Sequence, residues 1–259
     1  MSSWDPQQYS RFADERARPF HELVARIPTR SAVAVVDLGC GPGTMTATLA
    51  ARYPDAAVLG IDSSPDMIAA AAPLASPQLR FQLGDIGAFQ PARGSLDVIV
   101  ANASLQWVGD HATLLPVLAA ALDDGGTLAF QVPTVGAEAI EQVASSPRWA
   151  PLLSSALSGT SPRASSPVLS ASEYIGILAG AGLSVDAWET TYHHVLPGED
   201  PVLEWFSGTG LRPYFDALAG TDLADFRAEM AAALRKAYQR HPFGTVLPFP
   251  RLFVVAHRS

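Results

Sequence analysis

A buried strand, a glycine-rich turn and a helix follow one another early in the chain, and this feature constrains the fold most. Residues 33–38 form a nearly continuous apolar run rich in β-branched side chains, and residues 44–52 have helical periodicity. The turn between them reads Asp37-Leu38-Gly39-Cys40-Gly41-Pro42-Gly43-Thr44. Glycine leaves room for a ligand to approach the backbone closely. The pattern therefore predicts a ligand-binding turn at the carboxyl end of a first strand.

The alternation of strands and helices continues along the chain. Further strands are predicted at residues 57–61, 79–83, 96–101, 127–132, 183–195 and 251–257, with a turn at 123–126 before the fifth strand. Helices are predicted at residues 65–72, 111–122 and 172–181. Strands separated by helices need crossover connections, so we expect an α/β fold with a doubly wound, mainly parallel seven-stranded sheet. Ligands bind such sheets at the carboxyl ends of the strands.

The chain is long enough for one well-buried domain with additions, at 259 residues. We expect an N-terminal helical flap at 1–30 and a cofactor-binding core at 31–135. Residues 136–196 would complete the core, with a loop-rich segment at 145–167 and the sixth strand. A helical cap insertion is expected at 197–248, with helices near 200–206 and 222–240. Residues 249–259 would form the final strand.

Composition excludes several function classes. The net charge is −8, and the chain has one lysine against sixteen scattered arginines, which disfavours nucleic-acid binding. No stretch approaches the roughly 20 apolar residues of a membrane span, and the first thirty residues do not resemble a signal peptide, so we expect a cytoplasmic protein. The single cysteine, Cys40, cannot form an internal disulfide, and we expect it to pack. No metal is expected, and a monomer is a plausible state.

Polar side chains stand where the second, third and fourth predicted strands end. Asp62 follows the second strand, Asp85 and Ile86 follow the third, and Asn102 follows the fourth. A carboxylate at Asp62 can accept hydrogen bonds from both hydroxyls of a ribose, whereas Asp85 and Ile86 suit the amino group and the ring of an adenine. Asp37 would repel a pyrophosphate but attract an ammonium group. A nucleoside that carries an amino acid therefore fits this set better than a dinucleotide does.

S-adenosylmethionine has these parts, and over roughly residues 30–135 the motifs resemble those of the class I S-adenosylmethionine-dependent methyltransferases. Asn102 would then lie beside the reactive methyl group. The resemblance implies that the cofactor is bound by Asp37, Gly39, Gly41, Gly43, Asp62, Ser63, Met67, Asp85, Ile86 and Asn102. Met67 has the spacing of a core residue, but its position after Asp62 could let it touch adenine.

A closer resemblance extends over nearly the whole chain. Six segments are similar to segments of the bacterial trans-aconitate 2-methyltransferases, namely Trp4-Asp5-Pro6, Glu15-Arg16-Ala17-Arg18-Pro19, Gly60-Ile61-Asp62-Ser63-Ser64-Pro65, Ala101-Asn102-Ala103-Ser104-Leu105-Gln106-Trp107, Thr209-Gly210-Leu211-Arg212-Pro213 and Phe249-Pro250-Arg251-Leu252-Phe253. That family methylates a carboxylate of trans-aconitate and releases a monomethyl ester and S-adenosylhomocysteine. The resemblance implies the same activity here.

Such a reaction needs no general base, because a carboxylate is already deprotonated at pH 7. Catalysis would rest on proximity, orientation and removal of water. The other carboxylates of the substrate need cations, and arginine forks suit them. The resemblance implies that the substrate is bound by Arg212 and Arg251, then by Arg16 and Arg18, with Trp107, Tyr192 and His194 as neighbouring donors or walls. Tyr192 and His194 are two residues apart on a predicted strand and so share a face.

Two aromatic residues near the N-terminus, Tyr9 and Phe12, are expected to close over the cofactor as a lid. His111, His193 and His194 are interpreted as structural rather than catalytic, since the chemistry demands no acid or base.

Plainer interpretations of the polar residues stay open at this point. Asp62 could cap the helix that begins near residue 65, Asp85 and Asn102 could form turns, and Trp107 could be packing. Any single arginine of the set could be a surface ion pair.

Other functions also stay open. A different polycarboxylic acid or a natural product could be the acceptor, and a hydroxyl or carbon acceptor would need a base. A non-catalytic module that binds the nucleoside and a nicotinamide oxidoreductase are the alternatives from other classes.

Overall fold

The computed structural model describes residues 13–134, 138–157 and 168–259, and for residues 13–16 and 155–157 it describes the backbone alone. The expected lid residues Tyr9 and Phe12 lie outside this set, and so does the side chain of Arg16. Within these ranges, no helix has the length and apolar character needed to cross a membrane.

Strands and helices alternate as predicted through the first half of the chain. The α-helices are α1 (Ala13–Ala25), α2 (Thr44–Arg52), α3 (Pro65–Ala71), α4 (His111–Ala121), α5 (Glu138–Ala144), α6 (Ala150–Leu157), α7 (Ala171–Gly180), α8 (Pro201–Ser207), α9 (Arg212–Ala217) and α10 (Gly220–Ala237). The strands are β1 (Ala34–Leu38), β2 (Ala57–Asp62), β3 (Leu79–Leu83), β4 (Leu96–Asn102), β5 (Leu122–Pro133), β6 (Ser184–Leu196), β7 (Arg240–His241) and β8 (Gly244–His257). Short 3₁₀-helices occupy Ala72–Leu74, Ile86–Ala88 and Leu105–Trp107.

Eight strands form one sheet in the described part of the chain, in the order β3-β2-β1-β4-β5-β8-β6, with β7 paired to β8. Strands β1 to β5 pair in parallel, and β8 runs antiparallel to β5. The strand order reverses between β1 and β4, which is where open α/β sheets bind ligands. The predicted doubly wound, mainly parallel sheet is confirmed, with the two-residue strand β7 in addition.

The centre of the sheet is buried on both faces because crossover helices cover it. Val36 of β1, Ile99 of β4 and Phe130 of β5 are buried there, and they pack in one core with Leu115 of α4 and Leu178 of α7. Full burial of a side chain of this size stabilises the fold by about 1.5–3 kcal/mol. This core fixes the strand ends that carry the polar residues discussed below.

The described residues divide into two compact units. The core unit comprises residues 13–133, 168–190 and 251–259, and the cap unit comprises residues 134, 138–157 and 191–250. Strands β6 and β8 contribute residues to both units. The insertion expected at 197–248 lies within the cap unit.

The predicted start of the last strand is wrong. Strand β8 begins at Gly244, and β7 forms a hairpin with it, pairing Arg240 with Thr245. In the sequence, Pro248 and Pro250 indicate that a strand is interrupted, because proline cannot donate a hydrogen bond to a neighbouring strand. Side chains from 245 to 249 nevertheless alternate between buried and more exposed positions, as a strand requires.

The segment predicted to be loop-rich contains helix α6, and Trp149 just before it is fully buried. The Trp149 indole donates a 2.6 Å hydrogen bond to Glu229, 80 residues away, and packs edge-on against Phe226. Arg148 forms ion pairs with Asp225 and Glu229. Serine and proline content indicated a loop, but these distant contacts within the cap unit stabilise the helix.

The turn predicted at 123–126 is an irregularity within strand β5 instead. Leu122 already pairs with Leu96, and the register shifts before Thr127 pairs with Val98. A Cβ at Gly126 would lie 2.8 Å from a backbone carbonyl oxygen, so this bend requires glycine.

Candidate active site

The glycine-rich turn joins β1 to α2. Two of its glycines are required by close packing, and the third borders open space. Gly39 and Gly43 both have φ of +80°, a conformation that side chains rarely adopt. A Cβ at Gly39 would lie 2.3 Å from the Ser104 Cβ, and one at Gly43 would lie 2.6 Å from the Phe81 ring. These two glycines therefore serve packing. At Gly41, with φ of +54°, a Cβ would meet nothing within 4 Å in the described residues, so this part of the turn borders open space.

Asp62 ties this turn to the end of strand β2. One carboxylate oxygen accepts the backbone N–H of Gly41 at 2.9 Å, and the other accepts that of Ser64 at 2.9 Å. Helix α3 is capped by Ser64, whose hydroxyl accepts from Met67, so Asp62 is not the cap. Burial raises the pKa of Asp62, and the backbone hydrogen bonds oppose that shift. A carboxylate has about four lone-pair sites, so the Asp62 carboxylate can still accept from a ligand hydroxyl.

Asp37 lies beneath the turn and is buried together with Thr46. The Thr46 hydroxyl donates a 2.6 Å hydrogen bond to its carboxylate. Burial raises the pKa of Asp37 to about 6, with the charge of Asp62 adding to the shift and the bond from Thr46 opposing it. A buried carboxylate with this pKa gains from a nearby cation. The sequence did not predict this role of Thr46, because Thr46 fits the helical pattern and nothing in the sequence distinguishes it from its neighbours.

The end of strand β3 presents one polar and one apolar side chain side by side. Asp85 is exposed and caps a 3₁₀-helix by accepting the Gly87 N–H at 2.9 Å, while Ile86 is buried. Ser63, after β2, is exposed, whereas Met67 is buried at 3% exposure and packs as a core residue. Asp85 therefore forms a turn and still offers a carboxylate to a ligand.

A hydrogen-bond network within the core unit joins the carboxyl ends of β4 and β5 to the middle of β8. Asn102 and Gln131 are paired across β4 and β5, and the Gln131 amide nitrogen donates to the Asn102 side-chain oxygen at 2.7 Å. Arg251 donates from Nη1 to the Gln131 side-chain oxygen at 3.0 Å and is only 4% exposed. The structure thus brings Asn102 and Arg251 together through Gln131. The signal missed in the sequence is a glutamine inside the apolar run Leu128 to Val132.

Cys40 and His111 have structural roles in the core unit. The Cys40 thiol is buried, and burial raises its pKa above the usual range, which disfavours a reactive thiolate. His111 uses both ring nitrogens within the fold, bonding the Tyr174 hydroxyl at 2.8 Å and the Leu105 carbonyl at 2.8 Å. Because a carbonyl only accepts, the nitrogen facing Leu105 carries the proton.

In the cap unit, Tyr192 and His194 do share one face of β6. Their rings stack with centroids 6.1 Å apart and planes 7° apart, and both are buried while His193 between them is exposed. His194 also stacks on Trp205 at 4.7 Å. Arg212 begins helix α9, with its side chain 19% exposed and its Nε 3.7 Å from Asp216. Tyr192, His194 and Trp205 therefore form an aromatic cluster in the cap unit.

The remaining substrate candidates are less enclosed. Arg18 is exposed and forms an ion pair with Glu22 one helical turn away at 2.8 Å. Trp107 ends a 3₁₀-helix in the core unit and is half-buried.

The donor and acceptor set of the core unit fits S-adenosylmethionine. The open side of Gly41 admits a ligand against the backbone, Asp62 supplies a carboxylate beside it, and Asp85 with Ile86 offers an acceptor next to an apolar surface. Asp37 adds a carboxylate that favours an ammonium group. Among the residues described, no group of three His, Cys, Asp or Glu is arranged to hold a metal ion.

Comparison with known proteins identifies the family. Residues 35–126 match a family model described as a methyltransferase domain. The trans-aconitate 2-methyltransferase of Streptomyces avermitilis is 45% identical over 270 residues, covering 100% of this chain and 98% of the relative. The protein of the same name from Rhodococcus jostii is 46% identical over 258 residues and 98% of both chains.

A solved structure shares the fold at low sequence identity. The geranyl diphosphate C-methyltransferase of Streptomyces coelicolor, solved with Mg²⁺, geranyl diphosphate and S-adenosyl-L-homocysteine, has a TM-score of 0.55 at 14% identity. The match covers 94% of this chain and 77% of that chain. Because the sequence relationship to the proteins from Streptomyces avermitilis and Rhodococcus jostii spans the full length, the chain belongs to the trans-aconitate 2-methyltransferase family.

Proposed function

We propose that this protein transfers a methyl group from S-adenosylmethionine to a carboxylate of trans-aconitate, forming a monomethyl ester. The observation that carries the proposal is the full-length identity of 45% to a relative named for that reaction. A small anionic acceptor also suits the scattered arginines better than nucleic acid does. An acceptor of another kind, such as a different polycarboxylic acid, would leave the same nucleoside site in use.

The cofactor is proposed to lie against the turn between β1 and α2. Asp62 would accept the ribose hydroxyls, using lone pairs not taken by Gly41 and Ser64. Asp85 would accept from the adenine amino group while Ile86 packs on the ring, and Asp37 would attract the ammonium group. The other proposed cofactor contacts are Gly39, Gly41, Gly43, Ser63, Met67 and Asn102.

When bound, S-adenosylmethionine supplies an electrophilic methyl group, so that a carbon–oxygen bond forms at the acceptor carboxylate as the carbon–sulfur bond breaks and S-adenosylhomocysteine is left. The protein need not remove a proton, because the attacking carboxylate is ionised at pH 7. Its residues act by holding the carboxylate in line and by excluding water from it. His111, whose ring nitrogens are both engaged, is not needed as a base.

Binding of a tricarboxylate calls for cations away from the reacting group. Arg251 is proposed to bind one carboxylate, because it is a buried cation at the carboxyl edge of the sheet, next to Gln131. Arg212 is also proposed to bind a substrate carboxylate, with Tyr192 and His194 as further substrate-binding candidates. Arg16, Arg18 and Trp107 remain candidates for the periphery of the acceptor site.

Two arginine substitutions test the acceptor site. Arg251→Met and Arg212→Met should each raise the KM for trans-aconitate about tenfold or more, since each removes a charge-assisted contact. Arg93→Met, a change at an exposed loop arginine, is the matched control and should leave KM unchanged. If both site variants kept the wild-type KM, the proposed acceptor site would be wrong.

The cofactor assignment has its own test. S-adenosylhomocysteine should raise the melting temperature, because a ligand that binds only the folded state stabilises it. NAD should not. The opposite pattern would favour a nicotinamide oxidoreductase.

Tyr9 and Phe12 are proposed to close over the cofactor. Removal of residues 1–12, which leaves helix α1 in place, should then weaken S-adenosylhomocysteine binding. An unchanged affinity would rule out the lid.

A further inference from the structure

We propose that Gln131 is a positioning residue of the methyl-transfer site, which orients the amide of Asn102 as a hydrogen-bond donor to the reacting carboxylate. The inference rests on the proposed function. It adds a residue that the sequence did not indicate and gives Asn102 a role toward the acceptor.

The polarity of the network follows from Arg251. A guanidinium has only donors, so the Gln131 atom that faces Arg251 at 3.0 Å must be its oxygen. The Gln131 nitrogen therefore points to Asn102, at 2.7 Å, and must meet the Asn102 oxygen. With that oxygen engaged, the amide nitrogen of Asn102 is the end that can meet a ligand.

The network is enclosed, which makes its orientation costly to change. Gln131 is 0% exposed, and Arg251 is buried beside it. Reversing the Gln131 amide would set donor against donor at Arg251 and acceptor against acceptor at Asn102. A buried polar group without a partner is unfavourable, so the observed orientation is preferred. Hydrogen bonds in such a chain also polarise one another, so Asn102 becomes a better donor.

Gln131 also holds Ala103, the residue that follows Asn102. Ala103 has φ of +52°, which is strained for a residue with a Cβ. Its N–H donates to the Gln131 backbone carbonyl at 3.0 Å. The next residue, Ser104, donates its hydroxyl to the Leu38 carbonyl at 2.6 Å. Asn102 is thus held from both its side chain and the backbone that follows it.

The same contacts bring Asn102 next to the glycine-rich turn. Ser104 lies so close to Gly39 that a Cβ there would overlap it. Strand β4 is also the neighbour of β1 in the sheet. Asn102 therefore lies beside the turn against which the cofactor is proposed to bind.

A neutral donor is the suitable partner for the reacting carboxylate. An arginine paired directly with that carboxylate would neutralise the charge that makes it a nucleophile. An amide N–H holds one oxygen in place and leaves the negative charge largely intact. The arrangement assigns Arg251 to a carboxylate that does not react and Asn102 to the one that does.

A double-mutant cycle tests the assignment. Gln131→Met should lower kcat for trans-aconitate about tenfold and change the Kd for S-adenosylhomocysteine less than about twofold. In an Asn102→Ala background, where no amide remains to be oriented, the same substitution should lower kcat less than about twofold. Gln131→Glu keeps the size of the side chain and serves in the same cycle if Gln131→Met does not fold. Gln82→Glu, on the exposed face of β3, is the matched control for that change.

The outcomes separate the two proposals. Equal losses of kcat in both backgrounds, or a lower melting temperature with kcat unchanged, would overturn the role of Gln131 while the proposed function stands. An absence of wild-type turnover with trans-aconitate would overturn the proposed function itself.

Discussion

Thr46 donates a 2.6 Å hydrogen bond to the carboxylate of Asp37, and both side chains are buried beneath the glycine-rich turn. The bond favours the charged form of Asp37, whereas burial and the nearby charge of Asp62 favour the protonated form and hold the pKa at about 6. The charge of Asp37 thus changes close to physiological pH.

Cofactor affinity should therefore depend on pH. If Asp37 attracts the ammonium group, the Kd for S-adenosylhomocysteine should rise as pH falls below about 6, by up to about tenfold for each pH unit. Thr46→Val removes a bond to the charged form, so it should move this onset to higher pH, and Thr46→Ser should restore it. Titration calorimetry from pH 5 to about 8 measures both. If Thr46→Val did not change the pH at which the Kd begins to rise, the proposed effect of Thr46 on Asp37 would be wrong.

The stability of the unliganded protein should change with pH in the opposite direction. Asp37 has a higher pKa in the folded than in the unfolded state, so the folded state binds the proton more tightly and stability falls as pH rises from about 4 to about 6. The loss is on the order of 3 kcal/mol. Asp37→Asn should remove this component. Denaturant unfolding at several pH values measures the free energy of unfolding. If this free energy changed with pH equally in the wild type and in Asp37→Asn, the prediction would be wrong.

Substitutions at two glycines of the turn should have different effects, one mainly on the stability of the fold and the other mainly on cofactor affinity. Gly43→Ala should destabilise the fold by about 3 kcal/mol or more, because the new Cβ has an unfavourable φ and overlaps Phe81. Gly41→Ala should cost about 1–2 kcal/mol for its φ alone but raise the Kd for S-adenosylhomocysteine at least about tenfold. Thermal unfolding and calorimetry measure the pair. An unaltered affinity in Gly41→Ala would place the ligand elsewhere.

Asp62 should matter for the cofactor far more than its neighbour Asp66. Asp62→Ala removes the acceptor of two backbone N–H groups and of the proposed ribose contacts, so the Kd for S-adenosylhomocysteine should rise at least about tenfold. Asp66→Ala, at an exposed acid in the first turn of α3, is the matched control and should leave the Kd within about twofold. If both variants lost affinity for S-adenosylhomocysteine to a similar extent, the loss would reflect the change in net charge and not a specific contact of Asp62.

Tyr174 should affect stability without affecting catalysis. Tyr174→Phe leaves His111 without the 2.8 Å bond to its ring nitrogen, in a buried position, and should destabilise the protein by about 1–3 kcal/mol. The KM for the acceptor and kcat should stay within about twofold of wild type. A large fall in kcat with little change in melting temperature would indicate a catalytic role for His111.

The parallel strands were predictable from sequence because strands buried on both faces are apolar throughout, as in the core residues of β1 and β4. The acids of the site were also predictable, since Asp62 ends the largely apolar strand β2 and Asp85 comes just after the more exposed strand β3. Helix α6 was not, because Trp149 is held by Glu229, which lies 80 residues away. Gln131 was hidden within an apolar run, and only its partners Asn102 and Arg251, brought together by the sheet, reveal its role.

Acceptor turnover tests the central proposal most directly. The purified protein is incubated with S-adenosylmethionine and, separately, with trans-aconitate, cis-aconitate, citrate and isocitrate, and mass spectrometry follows the methyl ester and S-adenosylhomocysteine. We predict a kcat/KM for trans-aconitate at least about tenfold above that for each of the other acids. Binding of S-adenosylhomocysteine without methylation of any of these acids would contradict the proposed acceptor.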